Sequence, residues 1–135
     1  MSLNGGQALL ELALCAPVVI LIAVGVAAVV QVQDASAGLD AATHAAASVA
    51  ARAPDPATAD SAARARFAAV VVAYPLHSAT LHLTFGSFTR AADLTATAEA
   101  FVDIGWAGLV LPHRLELRAQ AVVWVEPWRT HRSAA

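Results

Sequence analysis

The feature that most constrains this chain is an apolar run without charged residues, from residue 12 to residue 30. At 1.5 Å rise per residue, a helix over this run is about 28 Å long, which matches the ~30 Å hydrocarbon core of a bilayer. A core helix that is apolar on every side would need a larger domain around it than the rest of a 135-residue chain can build. The run therefore predicts a transmembrane helix.

Two cleaved signals are alternative interpretations of this N-terminus. A secretory signal has a positive start and a shorter apolar core before small residues such as Ala35, Ser36 and Ala37. Cleavage after Ala37 would release a secreted domain, but residues 1–6 carry no Lys or Arg and the run is too long. A lipoprotein signal needs a small residue directly before its cysteine, and it is disfavoured here because Leu14 precedes Cys15. Cys15 is the only cysteine, so it is expected to pack as a small apolar side chain.

Glu11 stands at the beginning of the apolar run. An ionised side chain at the centre of a membrane helix costs about 2.5–3.5 kcal/mol on insertion scales, and less near a helix end, where it can reach the interface. Physical chemistry alone leaves two explanations open. Glu11 either marks the water interface or has a dedicated partner.

Residues 6–11 read GQALLE, which resembles the processing site of type IV pilin-like proteins. In that family a membrane peptidase cuts after Gly, and Glu is the fifth residue of the mature chain. The segment GQALLELALCAPVVILIAVG is similar to the start of TadE-like proteins of the Tad (tight adherence) pilus system, and Pro17 lies where they carry a proline. The resemblance implies cleavage between Gly6 and Gln7, and a helix kink at Pro17. It also implies that Glu11 pairs with a neighbouring subunit's N-terminal amine and sets register during assembly.

The resemblance extends in layout to a final strand that ends at Glu126, and it has two departures. Residues 1–6 lack the basic residues usual in such leaders. Within residues 42–52, His44 occupies a position where relatives often carry Arg, whereas Arg52 is retained.

Pattern and resemblance together divide the chain into five parts. They are a leader (1–6), a transmembrane helix (7–33), a helical stalk (34–53), an extracytoplasmic α+β domain (54–128) and a tail (129–135). The Ala-rich sequence after residue 30 favours continued helix, so residues 7–53 are predicted to form one rod of roughly 70 Å. Gly25 and Gly38 are its expected weak points.

A second helix is predicted after the helix-breaking sequence at residues 53–56. Asp55 suits its N-cap and Pro56 its first position, the helix should span about residues 57–73, and Pro75 stops it. Its apolar positions recur at helical spacing and are Phe67, Val70, Val71 and Tyr74. Its polar side carries the charged residues Asp60, Arg64 and Arg66, and we interpret this side as a solvent-exposed face.

Three later segments, residues 79–88, 94–104 and 115–126, alternate apolar and polar residues with period two. They predict a small antiparallel sheet of three to four strands with one buried face. The second helix should cover that face, and the outer half of the first helix is an additional candidate for this cover. The fold class expected is thus α+β, and the resemblance implies a pilin-like arrangement. The apolar loop at residues 105–113 could be buried, a docking surface, or a membrane contact through Trp106.

Nothing in the sequence favours catalysis or a cofactor. Eight arginines face ten acidic residues, a net charge of −2, so nucleic acid is disfavoured as a partner. The histidines fall on separate predicted elements, which argues against a metal site: His44, His77, His82, His113 and His131. Neither Ser78 nor Ser87 has a nucleophile motif, and no Gly-rich phosphate loop is present, so no small-molecule substrate is expected.

The resemblance implies a minor pilin or pseudopilin whose partners are a prepilin peptidase, other pilins, the pilus assembly platform and the lipid membrane. It implies a single-pass protein of the bacterial inner membrane, with its N-terminus cytoplasmic and its C-terminal domain outside or incorporated into a pilus. The alternative is an uncleaved single-pass protein whose outer domain binds another envelope protein.

Overall fold

The computed structural model of the protein describes residues 3–87, 92–108 and 112–125. Helix α1 spans Leu3–Ala51 and helix α2 spans Pro56–Val71, and they are followed by strands β1 (His77–Phe85), β2 (Asp93–Asp103) and β3 (Arg114–Trp124). A short 3-10 turn, Gly105–Ala107, follows β2. The expected α+β class is confirmed: a long apolar N-terminal helix, a second helix and a three-stranded antiparallel sheet.

Helix α1 is one helix of 49 residues, about 73 Å long, and it continues on both sides of Pro17. It ends at Ala51, two residues before the expected end at residue 53. Tighter turns close it, in which Arg52 N–H donates to the Val49 carbonyl and Ala53 N–H to that of Ala50. The following Pro54 disfavours a helical conformation at Ala53, which explains the earlier end.

Helix α2 begins as its sequence predicts. The Asp55 carboxylate accepts the Thr58 N–H at 2.9 Å and the Thr58 hydroxyl at 2.7 Å, and Pro56 takes the first turn, where no N–H is needed. The helix ends at Val71, slightly earlier than expected, and a turn leads to β1. On its polar side, Arg64 also donates to the Leu81 carbonyl at 3.2 Å, which ties α2 to β1.

The strands follow the order β1-β2-β3, and both pairs are antiparallel. The register of β2 and β3 is continuous from Asp93 opposite Trp124 to Asp103 opposite Arg114. The register of β1 shifts between His77 and Thr80. The predicted alternation is confirmed, and the inward residues of β2 are completely buried: Leu94, Ala96, Ala98, Ala100 and Val102.

The expected cover of the sheet by α2 is wrong in its main part: the buried face packs mainly on the outer half of α1, while α2 packs chiefly on α1 and contacts the sheet mainly at β1. Small side chains allow this close approach, because the buried residues of the two helices are mostly alanines. They are Ala42, Ala46, Ala47 and Ala50 of α1 and Ala59 and Ala63 of α2. Gly38 is a packing position as well as an expected weak point: a Cβ there would lie 2.2 Å from Cγ of Tyr74. The segment expected as a stalk is thus a central part of the folded core.

Candidate functional site

The N-terminal half of α1 has no packing partner in the part of the chain that the structure describes. Its large apolar side chains are exposed, among them Leu9, Leu12, Leu14, Val19, Ile20, Ile22 and Val26. The most apolar window of α1 has a mean hydropathy of 2.9 and is only 6% buried, whereas the core helix of a soluble domain is mostly buried. By length and composition, this helix is a candidate membrane span.

Gly6 and Gln7, the predicted processing site, lie within the first turns of α1 and are exposed. The first four N–H groups of a helix have no intrahelical acceptor, and each glycine destabilises a helix by roughly 0.5–1 kcal/mol relative to alanine. Gly5 and Gly6 both face open space. The Gly6–Gln7 bond is thus accessible and lies where α1 is easiest to unwind.

The Glu11 side chain is exposed among apolar neighbours. Over residues 3–87, 92–108 and 112–125, no hydrogen bond or ion pair involves its carboxylate. Glu11 follows Gln7 by four residues, so the two share one face of α1 and are about 6 Å apart along its axis. An ionised Glu11 in an apolar environment therefore needs a partner from another molecule or from the interface.

Pro17 leaves the Ala13 carbonyl without its usual helical donor, because proline has no N–H. The predicted kink at Pro17 stays a prediction, since helix is assigned on both sides of it.

Gln31 joins α1 to the 3-10 turn immediately after the apolar run. Its side-chain N–H donates to the Asp103 carbonyl at 3.2 Å, and its side-chain oxygen accepts the Trp106 indole N–H at 2.8 Å. One turn further along α1, Ala35 packs with Val102 and Ile104. Sequence reasoning missed Gln31. Its only signal was an amide at the first polar position after the run, and its partners are 72 and 75 residues away.

The residues considered for catalysis or metal binding are not brought together. His44 is on α1, His77 and His82 are on β1, and His113 precedes β3, whereas His131 lies outside the described residues. Glu126, the expected end of the last strand, also lies outside them. Among the residues that the structure describes, no three His, Cys, Asp or Glu side chains could hold a metal ion. Ser78 is exposed at the irregularity of β1, and no hydrogen bond joins it to His77.

An open groove of about 430 Å³ lies between α2 and β1. Arg64, a charged residue in the lining of this groove, already donates hydrogen bonds to the Asp60 carboxylate and the Leu81 carbonyl. The lining residues are Arg64, Phe67, Ala68, Ala79, Thr80, Leu81 and His82. The groove thus has few polar groups left for a small ligand.

Comparison of the chain with protein-family models, with curated proteins and with solved structures finds no match.

Proposed function

We propose that this chain is a TadE-like minor pilin or pseudopilin that takes part in assembly of a Tad pilus. The observation that carries the proposal is the division of α1: one half is the core of a folded domain, and the other is an exposed apolar helix that carries Gly6, Gln7 and Glu11. A helix of this kind can lie in the membrane and later pack among equivalent helices, while its domain remains in water.

The proposal assigns the protein a single pass through the bacterial inner membrane, with the N-terminus cytoplasmic and residues from about 34 onwards outside. A prepilin peptidase cuts after Gly6, and the new α-amine at Gln7 carries a positive charge. In a bundle of apolar helices, the Glu11 carboxylate of one subunit is stabilised by this amine of its neighbour. Because few placements of two helices bring these groups together, the pair selects their stagger. No catalytic step or cofactor is part of this function.

Cleavage is tested by co-expressing the full chain with a prepilin peptidase and determining the N-terminal sequence of the membrane-bound product. We expect a start at Gln7. Gly6→Leu should abolish cleavage, because a bulky side chain then precedes the scissile bond. Gly5→Leu is the matched control, since both glycines face open space in the same turn. An intact Met1 in the presence of active peptidase contradicts the proposal and supports the uncleaved alternative, while a start at Gly38 supports a secreted domain.

The role of Glu11 is tested by co-purification with other pilins. Glu11→Ala and Glu11→Gln should leave membrane insertion intact and lower incorporation into pilin complexes severalfold, because they remove the charge. Glu11→Asp keeps the charge and should retain much of the incorporation. If all three variants co-purify with other pilins as well as the unchanged chain does, Glu11 only marks the interface.

A further inference from the structure

We propose that the 3-10 turn Gly105–Ala107 rests on the lipid headgroup layer and that the Trp106 indole anchors the domain there. The proposal rests on the membrane insertion of α1 and is independent of cleavage and of pilus assembly. It assigns a second, non-helical contact with the bilayer to the end of the domain nearest the span.

The position of Trp106 along α1 is fixed by its hydrogen bond to Gln31. Gln31 is the first polar residue after the apolar run, and Val29 and Val30 directly before it are exposed. When a run about 28 Å long fills a hydrocarbon core of ~30 Å, residue 31 lies at the headgroup level. Trp106 is therefore held at the depth where Trp and Tyr side chains are enriched in membrane proteins.

The indole of Trp106 suits this environment chemically. Its side chain is 54% exposed, but its only polar group, the N–H, is already bonded to the Gln31 side chain. The exposed apolar part of the ring can enter the interface without losing a hydrogen bond to water. Burial of an aromatic side chain, which removes a large apolar area from water, then favours the contact.

The turn that carries Trp106 is held in place by its neighbours. Gly105 N–H donates to the Asp103 carboxylate at 2.8 Å, and Ile104 N–H donates to the His113 carbonyl at 3.1 Å. Ile104 is buried against Ala35 of α1. Since the turn is fixed to α1 on one side and to β2 on the other, insertion of α1 determines where Trp106 lies.

A lipid surface is the occupant that the surroundings favour. The exposed ring is bonded to Gln31, which directly follows the exposed Val29 and Val30 of the apolar helix. The opposite end of the sheet carries another exposed tryptophan, Trp124, which pairs with Asp93. In the register of β2 and β3 it lies ten positions from the Asp103–Arg114 pair, about 33 Å away. Trp124 is thus an internal control within the same sheet.

The experiment uses the full chain reconstituted in phosphatidylcholine vesicles that contain lipids brominated near the headgroup or near the chain end. One form keeps only Trp106 (Trp124→Phe and Trp128→Phe), and the control keeps only Trp124 (Trp106→Phe and Trp128→Phe). An environment-sensitive fluorophore on Cys15, the only cysteine, reports insertion of α1 separately. We expect Trp106 to lose emission most strongly with bromine near the headgroup, and Trp124 to remain unquenched.

Trp106→Ala in a chain that also carries Trp128→Phe gives a second measurement, because it should remove the quenched component while Trp124 still emits. If Cys15 reports lipid and Trp106 is unquenched, the contact is overturned while insertion stands. Equal quenching of Trp106 and Trp124 overturns it too, since the domain would then lie flat on the membrane. If Cys15 reports water, insertion fails and this inference with it, whereas the cleavage experiment tests the pilin assignment independently.

Discussion

At Gly38 a missing side chain determines how two parts of the domain meet. The ring of Tyr74, which follows α2, lies directly over the helix backbone, and a Cβ on Gly38 would be 2.2 Å from its Cγ. Cγ is the ring atom closest to the Tyr74 backbone, so it cannot move away without a shift of the chain. The glycine is required by contact rather than by helix geometry.

Gly38→Ala should destabilise the domain. The clash with Tyr74 is an overpacking effect of roughly 1–3 kcal/mol, which outweighs the ~1 kcal/mol gain in helix propensity. Gly25→Ala is the matched control in the same helix, because nothing lies within 4 Å of that position and only the propensity gain remains. Thermal unfolding in detergent, followed by circular dichroism, should show a lower Tm for the first variant alone. If the Tm of Gly38→Ala equals that of the unchanged chain, Tyr74 adjusts to the added methyl group without a loss of stability.

Asp55 gives α2 a pH-dependent start. Hydrogen bonds from the Thr58 N–H and hydroxyl lower the pKa of Asp55 from its ordinary value. Because the folded pKa lies below the unfolded one, the stabilisation is present at neutral pH. It is lost as the pH falls from about 4, the usual pKa of Asp in an unfolded chain, through the lower pKa of Asp55 in the folded protein. Asp55→Ala should lower Tm at pH 7 and flatten its decline in acid. Asp55→Asn, which retains a capping oxygen, should flatten the decline with a smaller loss at pH 7. An acid decline identical to that of the unchanged chain would contradict this role.

At the level of elements, local patterns predicted what local chemistry determines. The cap at Asp55, the end of α1 near Pro54 and the period-two faces of the strands all depend on neighbours within a few residues, and the structure confirms them. The contact of Gly38 with Tyr74 and the bridge from Gln31 to Trp106 join distant segments. No local periodicity specifies such pairs, so the sequence did not reveal them. The sequence also favoured α2 as the main cover of the sheet, whereas α1 supplies most of that cover.

The buried face of the sheet is made of unusually small side chains where it meets α1. Ala96, Ala98 and Ala100 are completely buried, and Ala119 and Ala121 of β3 lie beside them. Alanines of α1 face the same core. Small residues on both sides allow the helix to lie close to the sheet, so the interface has little room for larger side chains.

Ala98→Val should therefore destabilise the domain although valine is the better strand former. Added methyl groups in a close-packed core cost roughly 1–3 kcal/mol. Thr97→Val, the next residue on the same strand, replaces a side chain of similar shape on the opposite face and should change stability by about 0.5 kcal/mol or less. Denaturant unfolding of the two variants measures the difference. An effect of Ala98→Val no larger than that of Thr97→Val would contradict the close packing of this interface.

For the whole molecule, α1 is both core helix and candidate membrane span, and its two halves have opposite surface requirements. The packed half needs small residues that fit the sheet. The exposed half needs an apolar surrounding that the described part of the domain does not supply. Because one continuous helix contains both, the orientation of the domain follows from how the helix inserts, and any partner that moves the helix also moves the domain.

This dependence predicts opposite results for one substitution made in the two halves. On insertion scales, Leu, Ile and Val at a helix centre contribute about 0.3–0.6 kcal/mol each, and one Arg costs about 2.5–3.5 kcal/mol. Leu21→Arg, at the middle of the apolar run, cancels most of the favourable insertion free energy that the Leu, Ile and Val residues of the run supply. A substantial fraction of the protein should therefore become extractable from membranes by alkaline carbonate. Ser48→Arg places the same charge on an exposed position of the packed half and should leave the protein in the membrane fraction. If both variants resist extraction like the unchanged chain, the exposed half of α1 is covered by protein instead of lipid.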